Sequence, residues 1–140
     1  LHALRLFFET AVVRRMALEA TDEQLAHIDE LLQNQRRLLD ASEIRAFAEA
    51  DIDFHRYLVE CMGNNFLGLL AEGFAGWLIT PLYASLQVRR AHVGVYEALK
   101  KRDPDLAEKA MRAHLDEMRG IYQVDVMVEE KVEQGEEQQS

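Results

Sequence analysis

The sequence predicts an all-α domain from its composition, from the spacing of its apolar residues and from the scarcity of strand signals. Its 140 residues include only two prolines and seven glycines. They are rich in alanine, leucine, glutamate and arginine, which lose the least free energy on entering a helix. Apolar residues recur at steps of three and four through most of the chain. The length suits one domain with a sizeable core.

The first half of the chain predicts three helices with recognisable ends. The first carries an apolar stripe at helical spacing, made of Leu1, Leu4, Phe8, Ala11 and Val12. Thr21 and Gln24 form a capping box that starts the second helix. A third helix is expected from about Ser42, and its apolar stripe includes Asp51 and His55.

The second half predicts three further helices and a tail. An apolar run from about residue 66 forms one helix that Pro81 ends or kinks, and the next helix follows it directly. Asp103 as the cap and Pro104 at the first helical position start the last helix. Glutamate and glutamine then dominate residues 129–140, which predicts a solvated, disordered tail.

Charge and composition exclude several classes of partner. The formal net charge of −9 would repel phosphate backbones, so we expect no direct contact between this domain and nucleic acid. The run of residues 66–84 is interrupted by Glu72, three glycines and Pro81, which favours a buried helix over a membrane span. The single cysteine, Cys61, cannot form an internal disulfide, and we expect a cytoplasmic setting.

Four ionisable residues occupy apolar-stripe positions on three of the predicted helices. They are Asp51, His55, His92 and His114. A buried carboxylate costs several kcal/mol even after relaxation, and an unpaired imidazole costs about 1–3 kcal/mol. These groups are therefore expected to pair with one another or to share a partner. A single histidine in a core is more often bonded to a backbone carbonyl, and that alternative stays open here.

A shared metal ion would account for all four residues. Asp51 and His55 are spaced i and i+4, so they lie on one helix face, and His92 and His114 would complete the set from other helices. One carboxylate and three imidazoles suit zinc, nickel, cobalt, manganese or iron rather than calcium or magnesium, and zinc is the leading expectation. Four protein ligands leave room on the ion for a carboxylate or hydroxyl of a small molecule.

Three segments carry a resemblance to a known family: "LRLFFETAVVRRMALEATDEQL", "DIDFHRYLVECMGNN" and "HVGVYEALKKRDPDLAEKAMRAHL". Together they span residues 1 to about 120, and they resemble the FCD effector-binding domain of GntR-type bacterial transcription regulators of the FadR subfamily. The resemblance implies an antiparallel bundle of six or seven helices around a central metal and effector pocket. It places the metal ligands at Asp51, His55, His92 and His114. It also implies a sensing and dimerisation domain over residues 1–128, with a winged helix-turn-helix DNA-binding domain that is not matched in this chain.

The function implied is that of a sensor. We expect a small carboxylate effector, bound at the metal, to alter DNA binding by the linked winged-helix domain of a homodimer. Within the family, the closest likeness is to sialic-acid-responsive regulators. Arg5 matches the arginine of the first helix that contacts the effector, although it could instead be a solvent-facing residue paired with Glu9.

Two alternatives remain beside the sensor. The first is a metal-dependent hydrolase or non-haem oxygenase built in a helical bundle. We expect no enzyme, because the chain contains neither Glu-x-x-His nor His-Glu-x-x-His. The second is a metal-free interaction bundle, in which the four polar groups satisfy one another.

Overall fold

The computed structural model describes residues 2–63 and 82–119. These residues form five α-helices and no strand, so the all-α prediction is confirmed. The helices are α1 (His2–Glu19), α2 (Asp22–Asp40), α3 (Ile44–Glu60), α4 (Leu82–Lys100) and α5 (residues 104–119). The helix predicted from residue 66 and the tail over 129–140 lie outside the described residues. None of the helices in the described part is long and apolar enough to cross a membrane.

Local sequence signals placed most helix ends correctly. The Thr21 hydroxyl accepts from the backbone N–H of Gln24, and the Gln24 side chain accepts from the backbone N–H of Thr21. At α5, the Asp103 carboxylate accepts from the backbone N–H of Leu106 at 3.0 Å. The start of α3 differs by two residues, because Ser42 adopts φ 57° in the turn and the helix begins at Ile44.

All five helices contribute to one apolar core, which surrounds the candidate site residues. α2 packs against α3 and α4, and α1 packs against the same two helices. Fully buried side chains of the core cluster come from each of the five helices: Val13, Ile28, Phe54, Leu58, Val95, Leu99, Met111 and Leu115. Burying such side chains contributes about 1.5–3 kcal/mol each, so the core supplies most of the driving force for folding.

The buried face of α1 differs from the predicted stripe. Leu4 and Ala11 are exposed, whereas Val12 is buried as expected, and Leu1 lies outside the described residues. The buried positions are Glu9, Thr10, Val12, Val13, Met16 and Ala17. The helix is therefore rotated relative to the prediction, and this rotation directs a carboxylate, Glu9, into the bundle.

Candidate metal centre

The structure brings the four predicted site residues together inside the bundle. α3 supplies Asp51 and His55 one turn apart, α4 supplies His92, and α5 supplies His114. One ligand atom from each residue lies within 4.8 Å of the others. The three histidines are buried and Asp51 is half-buried. The helical periodicity alone therefore selected residues that meet in space.

The four ligand atoms form a closed ring of short distances. His92 Nε2 lies 3.1 Å from His114 Nε2, which lies 3.2 Å from His55 Nε2. Asp51 Oδ1 lies 3.3 Å from His55 Nε2 and 3.2 Å from His92 Nε2. Neighbouring ligands held at about 2.0–2.2 Å by one transition-metal ion are roughly 2.8–3.6 Å apart. The ring therefore has the size of a mononuclear site.

His55 is oriented by a carboxylate on its far side. Its Nδ1 lies 2.5 Å from Glu9 Oε1, and Glu9 Oε2 accepts from Arg5 Nε at 2.7 Å. An ionised carboxylate can only accept hydrogen bonds, so Nδ1 of His55 carries the proton of this contact. Nε2 of the same ring faces the other three candidate ligands. The sequence reasoning missed Glu9 in this role, although its i+4 spacing from Arg5 was visible.

His92 is oriented by an amide. Its Nδ1 lies 3.1 Å from Gln35 Oε1, and Gln35 Nε2 donates to the carbonyl of Ala50 at 3.3 Å. Since the Ala50 carbonyl requires the amide NH₂ on its side, the Gln35 oxygen faces His92, and His92 Nδ1 is the donor. The lone pair of His92 Nε2 then faces the centre. Phe54 stacks on the same ring at 4.0 Å.

His114 lacks such an outer partner in the described part of the chain. Its Nδ1 is buried without a hydrogen bond there, while its Nε2 contacts both His92 and His55. Its ring stacks on that of His55 with centroids 5.2 Å apart. Packing and the central contacts therefore hold this imidazole in position.

The electrostatics of the centre hold three of the four candidate ligands in the form that binds a metal. Burial raises the pKa of Asp51, but the neighbouring imidazoles of His55 and His92 outweigh it and hold that pKa well below its usual value. Burial lowers the pKa of His92 and of His114, so both imidazoles are neutral. For His55, burial lowers the pKa, whereas Glu9 and Asp51 raise it to about 9. A cation at the centre would therefore have to displace the proton on His55 Nε2.

Arg5 lies close to the centre but is bound to Glu9. The pair is the one foreseen as an alternative to effector contact, yet it is not solvent-facing, because the side chain of Arg5 is 11% exposed and that of Glu9 is 8% exposed. Burial raises the pKa of Glu9, but His55 and Arg5 lower it to about 2, so the carboxylate is ionised. Arg5 is therefore separated from the candidate metal ligand His55 by one side chain, that of Glu9.

A family comparison gives the chain its place among known proteins. The model of the FCD domain matches residues 1–117. The chain belongs to the FCD family. The match confirms the predicted resemblance to the domain found in GntR-type regulators, and it includes all four residues of the candidate centre.

Relatives of this FCD domain bear the names of regulators. The HTH-type transcriptional repressor NanR of Cronobacter sakazakii is 34% identical over 130 residues, covering 86% of the chain and 49% of the relative. Its counterpart from an Enterobacter species is 35% identical over 128 residues, with 85% and 48% covered. The chain thus spans about half the length of these curated relatives.

The fold is shared with a solved structure. Streptococcus agalactiae GntR superposes with a TM-score of 0.73, covering 84% of the chain and 55% of that structure. The sequences are 23% identical, so this likeness concerns the fold. It supports a helical bundle of the FCD type for the described helices.

Proposed function

We propose that this FCD domain is the effector-sensing part of a GntR-family transcription regulator, and that it binds a small carboxylate at a divalent transition-metal ion. The observation that carries the proposal is the ring of Asp51, His55, His92 and His114, whose neighbouring ligand atoms are 3.1–3.3 Å apart. Two of the three imidazoles have their outer nitrogen bonded to an acceptor, so that the inner nitrogen is the one that faces the centre. Such an arrangement is expected of metal ligands and is unusual in a core that merely satisfies its polar groups.

The ligand set indicates which ions would fit. Three imidazole nitrogens and one carboxylate oxygen favour zinc, nickel, cobalt, manganese or iron over calcium or magnesium, and we propose zinc. When bound, the ion would supply a Lewis-acidic attachment point for an effector carboxylate. The chain's own residues hold the ligands, exclude water from three of them and neutralise the surrounding charge.

The charge of the described side chains at the centre favours an anionic effector. Arg5 offsets Glu9, so the Asp51 carboxylate and a divalent ion together leave one net positive charge. A single carboxylate would neutralise that charge within a buried site, where unbalanced charge is costly. We therefore propose a sugar acid such as sialic acid, or a small organic acid, and Arg5 as a second contact to it through a charge-assisted hydrogen bond.

Regulation would follow from the position of α1. The metal ligands lie on α3, α4 and α5, and α1 contacts them through Glu9. A winged-helix DNA-binding domain joined to α1 in a homodimer would respond to any change in the placement of this helix. A coupling of about 1–3 kcal/mol would change operator affinity roughly 5- to 150-fold. We propose a sensor domain over residues 1–128, no catalytic role, and a cytoplasmic setting.

Metal analysis with thermal unfolding tests the site. We expect the purified chain to bind one zinc ion, and chelation to lower its melting temperature by roughly 8–20 °C, because binding at 100–1,000 times Kd stabilises a fold by about 3–4 kcal/mol. Readdition of zinc should restore the melting temperature, and magnesium should not. No bound transition metal together with an unchanged melting temperature would remove the site.

Effector binding has its own test on the zinc-loaded chain. We expect N-acetylneuraminic acid, or one of a series of sugar acids and C2–C4 hydroxy and dicarboxylic acids, to raise the melting temperature by several degrees. The methyl ester of the same acid is the matched control, because it keeps the sugar and removes the negative charge. Equal shifts with acid and ester would contradict binding through the carboxylate. The ligand should be recovered chemically unchanged, as a sensor requires.

A further inference from the structure

We infer that Glu9 is a positioning residue, which fixes His55 for metal binding and thereby links α1 to occupancy of the metal centre. The inference rests on the proposed metal site and extends it to a helix that supplies none of the four ligands. It assigns to the Arg5–Glu9 pair a role beyond the stabilisation of α1.

The geometry around Glu9 carries the inference. The carboxylate is buried, with Oε1 2.5 Å from His55 Nδ1 and Oε2 2.7 Å from Arg5 Nε. Each oxygen of Glu9 therefore accepts one hydrogen bond, from His55 or from Arg5. The carboxylate cannot rotate without breaking one of these charge-assisted hydrogen bonds. A histidine whose outer nitrogen donates to a fixed carboxylate has a fixed tautomer and a fixed ring plane, and its inner nitrogen is a better ligand.

The same helix contains a natural comparison for this pair. Arg15 Nε lies 2.9 Å from Glu19 Oε2 with the same i and i+4 spacing, but these side chains are 59% and 63% exposed. Exposed pairs of that kind contribute little to stability. Glu9 differs in being buried and in reaching a residue 46 positions away.

The link to α1 follows from this contact between helices. Metal binding requires His55 Nε2 to face the other ligands, and that orientation is held by a side chain of α1. Binding should therefore stabilise α1 as well as α3, α4 and α5. Conversely, a displacement of α1 would release His55 and weaken metal binding, since the two effects are thermodynamically reciprocal.

Glu9→Gln tests the inference, with Glu19→Gln as the matched control on the same helix. Zinc affinity, measured by competition with a chromophoric chelator, should fall about 10- to 100-fold for Glu9→Gln and stay unchanged for Glu19→Gln. Zinc should slow the hydrogen exchange of α1 amides in the wild type and in the control, and much less in Glu9→Gln. A stabilising role alone would change the melting temperature without changing this zinc-dependent protection.

The wild type provides a second measurement if Glu9→Gln does not fold. Nitrogen-15 spectra of the zinc-loaded chain should show His55 bound through Nε2 with a proton on Nδ1. Binding through Nδ1, or a zinc affinity of Glu9→Gln equal to that of the wild type, would overturn the inference and leave the metal site standing. A wild-type chain that binds no transition metal would overturn the proposed function and this inference together.

Discussion

Replacement of His92 by alanine is expected to abolish zinc binding and the thermal response to effector while the domain remains folded. His92 is fully buried, and its Nε2 contacts both His114 and Asp51. Losing one of four ligands should weaken metal binding more than losing an outer partner does, hence by more than about 100-fold. The effector response should disappear with the metal, because the effector is proposed to bind through it.

The cost to folding should be moderate. His92→Ala leaves Gln35 Oε1 without its donor and opens space beside Phe54, which together should cost about 2–4 kcal/mol of unfolding free energy. A domain of ordinary stability remains folded after a loss of that size. Isothermal titration with zinc measures the metal affinity, and circular dichroism shows whether the domain is folded. Thermal melting measures the loss of stability and the response to effector.

His27→Ala is the control for this substitution, because His27 is 45% exposed on α2 and lies away from the centre. It should keep full zinc affinity. Retention of the effector response by a folded His92→Ala chain would contradict the role assigned to the metal.

Replacement of Phe54 by alanine is expected to cause the largest loss of stability, about 3–5 kcal/mol in the free energy of unfolding. Phe54 is fully buried in the core cluster. It stacks on His92 at 4.0 Å and meets the edge of His55 at 5.3 Å. The substitution therefore removes apolar contacts and opens a cavity beside two of the proposed metal ligands at once. Urea unfolding of the metal-free chain measures the loss without a contribution from zinc.

Phe7→Ala is the control for Phe54→Ala, because both substitutions remove a phenylalanine side chain but only Phe54 is buried. Phe7 lies on α1 and is 78% exposed, so its removal should change the stability by no more than about 0.5 kcal/mol. Equal losses for Phe54→Ala and Phe7→Ala would show that the packing around His92 and His55 is not what stabilises the domain. A loss of less than about 1 kcal/mol for Phe54→Ala would have the same meaning.

The helices and their ends were largely predictable because they depend on neighbours in the sequence. Thr21 with Gln24, and Asp103 with Pro104, act within one turn of a helix, and both form the expected starts. The start of α3 was misplaced because Ser42 adopts a left-handed turn conformation that its residue type does not announce.

The outer partners of the ligands were not predictable in the same way. Gln35 reaches a ligand 57 residues away and Glu9 reaches one 46 residues away. Each contact depends on how two helices are rotated and packed. The predicted stripe of α1 counted apolar residues and so left Glu9 outside it, whereas the observed rotation buries Glu9 together with Val12, Val13 and Met16.

The sequence by itself determined that the chain is helical, and it singled out Asp51, His55, His92 and His114, because an ionisable residue in an apolar stripe stands out from its own helix. Only the tertiary structure decided that their ligand atoms meet in one ring, and that Glu9 and Gln35 set the tautomers of two of them. The physical reason is the range of the interactions: helix periodicity and capping act over three or four residues, whereas a hydrogen bond between helices depends on packing of the whole core.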